Sequence, residues 1–220
     1  SQDFIWIGTQ DGLNRYDGYH IKTFKTDLNS KTSISSNFIK CMFEDKDGFI
    51  YIGTNDQGLS VYNKYTETFL NYKAGLGSKT LSNNSIRHII ELTSNELLIA
   101  TDEGLNIFDK TSKQFSLVKT DNIESANNLT YIFKDPENKI FVASNGNGFF
   151  EYNAKKKTLT NYQIPEEISL KINGINISNK INIRCITSVK GSIWLGSDYG
   201  ILVFNPTKKK IERLIDFDFG

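Results

Sequence analysis

The sequence predicts an all-β fold assembled from repeated four-stranded antiparallel units. Three observations carry this. First, the stretch from Ile5 to Asp17 (Ile5-Trp6-Ile7-Gly8-Thr9, a short polar loop, then Gly12-Leu13-Asn14-Arg15-Tyr16-Asp17) returns four more times. The later copies contain Tyr51-Ile52-Gly53-Thr54 with Gly58-Leu59, Leu98-Ile99-Ala100-Thr101 with Gly104-Leu105, Phe141-Val142-Ala143-Ser144 with Gly148-Phe149, and Trp194-Leu195-Gly196-Ser197 with Gly200-Ile201. Second, the spacing is regular. From Gly8 through Gly53, Ala100, Ala143 and Gly196 the steps are 45, 47, 43 and 53 residues, a range that belongs to stacked supersecondary units. Third, no segment sustains a 3.6-residue apolar period; the apolar runs are short and bounded by Gly, Asn, Asp and Ser.

The second repeat shows each element in turn. Phe38–Glu44 is a mostly apolar run of strand formers, closed by the tight turn Asp45-Lys46-Asp47-Gly48. Phe49–Thr54 is too apolar for a strand with one wet face, so both of its faces are expected to be buried. Asn55–Gly58 forms the next loop, Leu59–Asn63 the third strand, and Lys64–Thr68 turns the chain into a fourth strand, Phe69–Tyr72. The first strand recurs as Ile86–Glu91, Leu129–Lys134 and Ile183–Ser188. The fourth recurs as Ile21–Phe24, Phe115–Val118, Leu159–Tyr162 and Ile211–Ile215. Connections rich in Ser and Asn (26–37, 73–85, 120–128 and 164–182) join the units.

Sheets apolar on both faces must sandwich between neighbours, and four-stranded sheets at this period point to a β-propeller. The Gly/Ala column is then where adjacent sheets approach closely, with the aromatic column Trp6, Tyr51, Phe141 and Trp194 filling the space beside it; the third repeat departs with Leu98. The first repeat (1–26) lacks its innermost strand, whereas 37–73, 84–119, 127–163 and 181–215 read as complete blades. The chain starts partway through a repeat and reads as a piece of a longer polypeptide, a partial propeller whose ring continues beyond it.

Composition excludes several classes. The 220 residues carry 26 basic and 25 acidic side chains, a net charge of +1, so no broad basic field offers itself to nucleic acid. No run of about 18 apolar residues suggests a membrane span, and no signal-peptide pattern is present. Two His and two Cys, scattered, lack metal-ligand spacing, and nothing implies a cofactor. Cys41 and Cys185 occupy the same place in two repeats and read as buried free thiols. The lysine runs 155–157 and 208–210 fall between third and fourth strands and read as solvated turns.

The repeats resemble the two-component regulator propeller repeat, whose signature is an aromatic-rich apolar strand, Gly-Thr, a short polar loop, Gly-Leu, and an apolar pair before Asp or Asn. The opening Trp6–Gly18 is similar to the first blade of hybrid two-component sensors of gut Bacteroidetes. In that family seven-bladed propellers precede a small β-sandwich, a membrane helix and a histidine kinase. The resemblance implies a periplasmic sensor, working as a homodimer in an inner-membrane receptor, that recognises oligosaccharides and signals to polysaccharide-utilisation genes. Membrane contact would come through downstream parts only.

A ligand is expected at the loops between second and third strands, which share one end of the sheets with the inter-blade connections. Candidates there are Asp11, Asn55, Asp102, Asn145, Asp198 and Tyr199, with Asn37, Asn84, Asn128 and Asn182 from the connections. Amides, carboxylates and aromatic faces bind sugar hydroxyls and ring C–H surfaces; tight turns equally favour Asn, Asp and Gly. Lys40, Arg87, Thr130 and Arg184 share one place near the loop end of the innermost strand. Its three cations could hold a carboxylate or sulfate on a glycan, or snorkel to solvent. His88, one residue on, reads as a packed histidine rather than a base. The acids available for a glycan hydrolase or lyase sit in turn positions, and no nucleophile–base constellation or phosphate loop is evident. The segment therefore reads as non-catalytic, with a protein-interaction or dimerisation scaffold as the alternative to sensing, anchored by exposed Tyr19, Tyr65 and Tyr199.

Overall fold

A computed structural model describes residues 4–121, 126–162, 164 and 181–215. The expected connection 164–182 lies almost wholly outside the described residues, as does the tail 216–220. The described residues form strands, turns and loops without a helix, and no helix long and apolar enough to cross a membrane is found among them. The chain divides into two compact units, Ser1–Leu117 and Val118–Gly220.

The first unit holds three sheets. β1 (Ile5–Thr9), β2 (Gly12–Tyr16) and β3 (Ile21–Phe24) make a three-stranded sheet. β4 (Ile39–Glu44), β5 (Ile50–Thr54), β6 (Leu59–Asn63) and β7 (Thr68–Tyr72) make a four-stranded meander, as do β8 (Ile86–Glu91), β9 (Glu96–Thr101), β10 (Gly104–Asp109) and β11 (Gln114–Leu117). All pairings within these sheets are antiparallel.

Period-2 alternation assigns each face of the second sheet to a different neighbour. Ile50, Ile52, Tyr62 and Phe69 pack with Leu13, Trp6 and Phe24 of the first sheet. Tyr51, Leu59, Val61 and Tyr72 pack with Ile86, Ile89, Leu97, Ile99, Phe108 and Phe115 of the third. The aromatic column fills the space between sheets: Trp6 lies 5.1 Å from Tyr62 and Tyr51 6.2 Å from Phe108, ring centre to ring centre. The Gly column sets the approach. A Cβ placed on Gly8 would come within 2.6 Å of Ile39 Cγ2, and one on Gly53 within 2.5 Å of Ile86 Cγ2. In each case an isoleucine from the next sheet's innermost strand occupies the volume a side chain would need.

The consequence shows on β1. Ile5 and Ile7 are 59% and 43% exposed, whereas their counterparts Ile50 and Ile52 are 3% and 0% exposed. Trp6 and Gly8 face the second sheet, but no described sheet covers the opposite face.

The second unit holds two sheets. β13 (Leu129–Lys134), β14 (Ile140–Ser144), β15 (Phe149–Asn153) and β16 (Thr158–Tyr162) form a meander, extended by the two-residue β12 (Lys119–Thr120) running parallel to β16. This fifth strand differs from the expected four. It follows from the incoming connection lying along the outer strand: Asp121 N–H donates to the Leu159 carbonyl at 2.9 Å, and the Thr160 hydroxyl donates to the Asp121 carboxylate at 2.9 Å. The first unit does the same with single bonds, from Phe69 N–H to the Thr32 carbonyl and from Phe115 N–H to the Lys79 carbonyl. β17 (Ile183–Val189), β18 (Ser192–Ser197), β19 (Gly200–Asn205) and β20 (Lys210–Ile215) complete the unit. Phe141, Ala143 and Phe149 pack on Ile183, Ile186, Leu195 and Phe204.

Cys41 and Cys185 are free, but neither is fully buried, contrary to expectation: Cys41 is half-buried and Cys185 exposed. The Cys41 sulfur fills the gap over Gly53 beneath Ile86, and burial pushes its thiol up to about 12. The Cys185 sulfur lies over Gly196 in the same way, yet among the described residues none from a following sheet comes within reach there.

The third-to-fourth-strand turns share one design. The Asp or Asn ending the third strand caps the turn: Asn63, Asp109, Asn153 and Asn205 accept from Tyr65, Ser112, Lys156 and Lys208 N–H at 2.9, 2.7, 3.0 and 3.0 Å. Each turn then needs a left-handed residue, supplied by Glu67, Lys113, Lys157 and Lys209 with φ between 53° and 57°. A side chain with a Cβ resists that conformation by about 1 kcal/mol. Lys209→Gly should therefore stabilise the chain by about 1 kcal/mol, read as a higher urea midpoint at unchanged slope; a lower midpoint would show that the turn is not strained.

Candidate ligand-binding loops

The loops between second and third strands are built by the Gly-Thr and Gly-Leu pairs. One hydroxyl crosses each loop. Thr9, Thr54, Thr101, Ser144 and Ser197 donate to the carbonyls of Gly12, Gly58, Gly104, Gly148 and Gly200 at 2.8 to 2.9 Å. The same oxygens accept from the N–H of Asp11, Gln57, Glu103, Asn147 and Tyr199 at 3.0 to 3.3 Å. The five glycines hold φ between +79° and +120°, which other residues adopt only with strain. Gly12 and Gly58 N–H donate onward to the Asn37 and Asn84 carbonyls at 2.7 and 2.9 Å. The backbone and the hydroxyl thus satisfy the loop internally, and the remaining side chains are not needed to close it.

The innermost strands supply the second part. In each complete sheet the ladder skips one residue: Lys40 between Ile39 and Cys41, Arg87 between Ile86 and His88, Thr130 between Leu129 and Tyr131, Arg184 between Ile183 and Cys185. These are bulges, which leave one residue unpaired and re-aim its side chain. The two bulged arginines turn toward the loops of their own sheets. Arg87 Nε and Nη2 donate to both Asp102 oxygens at 2.8 and 2.9 Å. Arg184 Nε and Nη2 donate to both Asp198 oxygens at 2.9 and 3.4 Å, and Asn182 Nδ2 adds a third bond at 2.6 Å.

Charge follows the bulge. Arginine stands opposite aspartate in the third and fifth repeats, while Lys40 and Thr130 stand opposite Asn55 and Asn145. Thr130 instead donates to the Ile183 carbonyl at 2.6 Å. Lys40 is exposed, and its ammonium rests 4.4 Å from the centre of the Phe38 ring. Burial raises the Asp102 carboxyl, but hydrogen bonds from Arg87 and Ser85 and the charges of Arg87 and Lys40 outweigh it and hold the group below the ordinary carboxylate range. The Arg184 and Asn182 hydrogen bonds hold Asp198 down in the same way.

The other expected residues divide between scaffold and surface. Asp11 is exposed and paired with Lys25 at 2.7 Å. Asn55 is half-buried, its N–H on the Phe38 carbonyl at 3.0 Å. Asn145 is half-buried, and its Oδ1 is enclosed without a hydrogen-bond donor among the described residues. Tyr199 is 37% exposed beside Asp198. Asn37 and Asn84 brace the connections, their Oδ1 atoms accepting from Thr26 and Ala74 N–H at 2.8 Å each. Asn128 is left-handed at φ 51°, and its carbonyl accepts from Asn145 N–H at 2.9 Å. Among the described residues no three His, Cys, Asp or Glu side chains lie close enough to hold a metal. The hydroxyl brace and the bulge were absent from the sequence reading. The one available signal was that Thr or Ser follows the Gly/Ala position in all five copies.

The arrangement can present forked donor–acceptor pairs, amides, one stacked lysine and an exposed tyrosine to a polyhydroxylated ligand. Comparison with known proteins agrees with the repeat reading. Residues 33–56 match the family model of the two-component regulator propeller, so the chain carries that repeat. It is 31% identical over 222 aligned residues to histidine kinase P4 of Formosa agariphila, covering 95% of this chain and 15% of that protein. Its fold matches the extracellular domain of a hybrid two-component system of B. thetaiotaomicron with a TM-score of 0.76 and 23% identity, over 96% of this chain and 28% of that one. A second extracellular domain from that organism, of a one-component system, matches with a TM-score of 0.71 and 20% identity, over 99% and 27%. The sheets are therefore propeller-type blades, and the chain spans 15% of that histidine kinase and under a third of those two extracellular domains.

His88, one residue past the Arg87 bulge and paired with Ala100, is pushed down to about 4 by burial. A depressed histidine stabilises the fold fully above its unfolded value near 6.5 and loses that contribution as pH falls toward 4. Wild type should lose about 1–2 kcal/mol between pH 7.5 and pH 5 that His88→Cys, carrying the residue of the second and fifth repeats, does not lose. Urea midpoints at the two pH values check this, and parallel losses would show that His88 titrates normally.

Proposed function

We propose that this chain is the blade-forming part of an extracytoplasmic, non-catalytic sensor domain that recognises oligosaccharides. The sensor belongs to a histidine-kinase receptor, placed in the periplasm and dimeric, that controls polysaccharide-utilisation genes. The two-component regulator propeller repeat, the likeness to a histidine kinase and the likeness to extracellular domains support the sensing role. The observation that carries the ligand class is the recurring bulge. In the third and fifth repeats it sets an arginine on the aspartate of a loop whose own bonds are already met, leaving carboxylate and guanidinium groups beside the loop amides. A carboxylate held by arginine keeps lone pairs for sugar hydroxyls, and the arginine keeps N–H groups for ring and ether oxygens. No attacking nucleophile is required of such a site, only differential affinity for two arrangements of the receptor.

Lys40 is the cation of the series with an amide rather than a carboxylate opposite, so acidic sugars are expected to engage it. Calorimetry with a panel of neutral, uronic-acid and sulfated oligosaccharides should give saturable heat with at least one of them. Lys40→Ala should weaken an acidic ligand about tenfold, close to 1.4 kcal/mol, with the melting temperature unchanged. Absence of saturable heat with every glycan would sink the proposal and favour a scaffold that binds protein instead.

A further inference from the structure

A cleft of about 530 Å³ lies between the second and third sheets, at the end opposite the candidate loops. Its floor is an ion pair joining the two sheets. The Asp45 side chain is 2% exposed and that of Lys110 12%, with Nζ 3.1 Å from Oδ2. Asp45 also accepts from Asp47 and Phe49 N–H at 3.1 and 3.0 Å and from the Tyr51 hydroxyl at 3.2 Å. Lys110 also reaches Glu91 at 3.4 Å and lies 5.6 Å from the Tyr51 ring centre. The floor is saturated with hydrogen bonds, and the charges that line the cleft, Asp45 and Asp47 against Lys110 and Lys113, balance in number.

This pair breaks the repeat. The equivalent positions in the following repeats are Leu92 with Ala154 and Asp135 with Pro206. A buried ion pair stabilises little more than well-packed apolar side chains would, so general blade packing does not account for it. The cleft above it has two kinds of wall. Phe49, Tyr72 and Leu70 present half-buried or exposed apolar surface, while Asn63 and Thr68 line it with an amide and a hydroxyl. The volume lies in the usual range for small-ligand sites.

We propose that this cleft is a second binding site, for a neutral mono- or disaccharide lying with its C–H face on Phe49 and Tyr72 and its hydroxyls on Asn63, Thr68 and the Tyr72 hydroxyl. Lining charges that balance give no reason for a ligand of one sign, and apolar walls beside hydrogen-bonding groups suit a polyhydroxylated ring. The site is independent of the loop-end reading and stands or falls without it.

Backbone-amide NMR on the whole chain, titrated with methyl glycosides and neutral disaccharides of glucose, galactose and mannose, tests this. Saturable shifts at Phe49, Asn63, Thr68 and Tyr72 are expected with at least one probe. Leu70→Arg, which extends an exposed side chain across the cleft, should weaken them at least tenfold, and Lys40→Ala should leave them unchanged. Shifts confined to the loops around Asn55 and Asp102 would overturn this proposal while supporting the other. Shifts in neither place, or cleft shifts insensitive to Leu70→Arg, would also overturn it.

Discussion

Each sheet of this chain is apolar on both faces, and the constraint on which everything else depends is the distance at which two such faces meet. That distance is set where a residue without a side chain lets a neighbour in. Ile39 and Ile86, at the starts of β4 and β8, fill the volumes that side chains on Gly8 and Gly53 would take. Close approach at the innermost strands brings the aromatic column into contact, so that Trp6 meets Tyr62 and Tyr51 meets Phe108. Exposure of Ile5 and Ile7, and of Cys185, is the same rule seen where a face has no described neighbour.

The fold separates the work of holding loops from the work of presenting groups. A threonine or serine hydroxyl, a left-handed glycine and a connection carbonyl close each loop without help from its acidic or amide side chains. Bulges then turn Arg87 and Arg184 onto Asp102 and Asp198 of those loops, while Thr130 turns to the Ile183 carbonyl and Lys40 to the Phe38 ring. Because loop closure does not depend on residues 55, 102, 145 and 198, these can vary between repeats at little cost to the fold. Such variation lets a repeated scaffold acquire a particular ligand.

Much of the architecture was legible because two-sided burial writes itself as short unbroken apolar runs. Ile86–Glu91 and Leu129–Lys134 were placed on their observed bounds for that reason. The fifth strand, Lys119–Thr120, was not legible; its two-residue parallel pairing with Thr158 and Leu159 leaves no periodicity. At the loops, residue types were readable but partnerships were not. Arg87 and Asp102 lie fifteen positions apart and meet only because the ladder skips a residue. The same limit hid the Asp45–Lys110 pair, whose members belong to different sheets.

The most direct test of the sheet-to-sheet constraint is a double-mutant cycle between Gly8→Ala and Ile39→Ala, followed by urea unfolding. If the isoleucine fills the space over the glycine, Gly8→Ala should cost about 1–3 kcal/mol in the wild-type background and about 1–2 kcal/mol less when Ile39 is already alanine. Additive costs, equal within about 0.5 kcal/mol in the two backgrounds, would contradict the account.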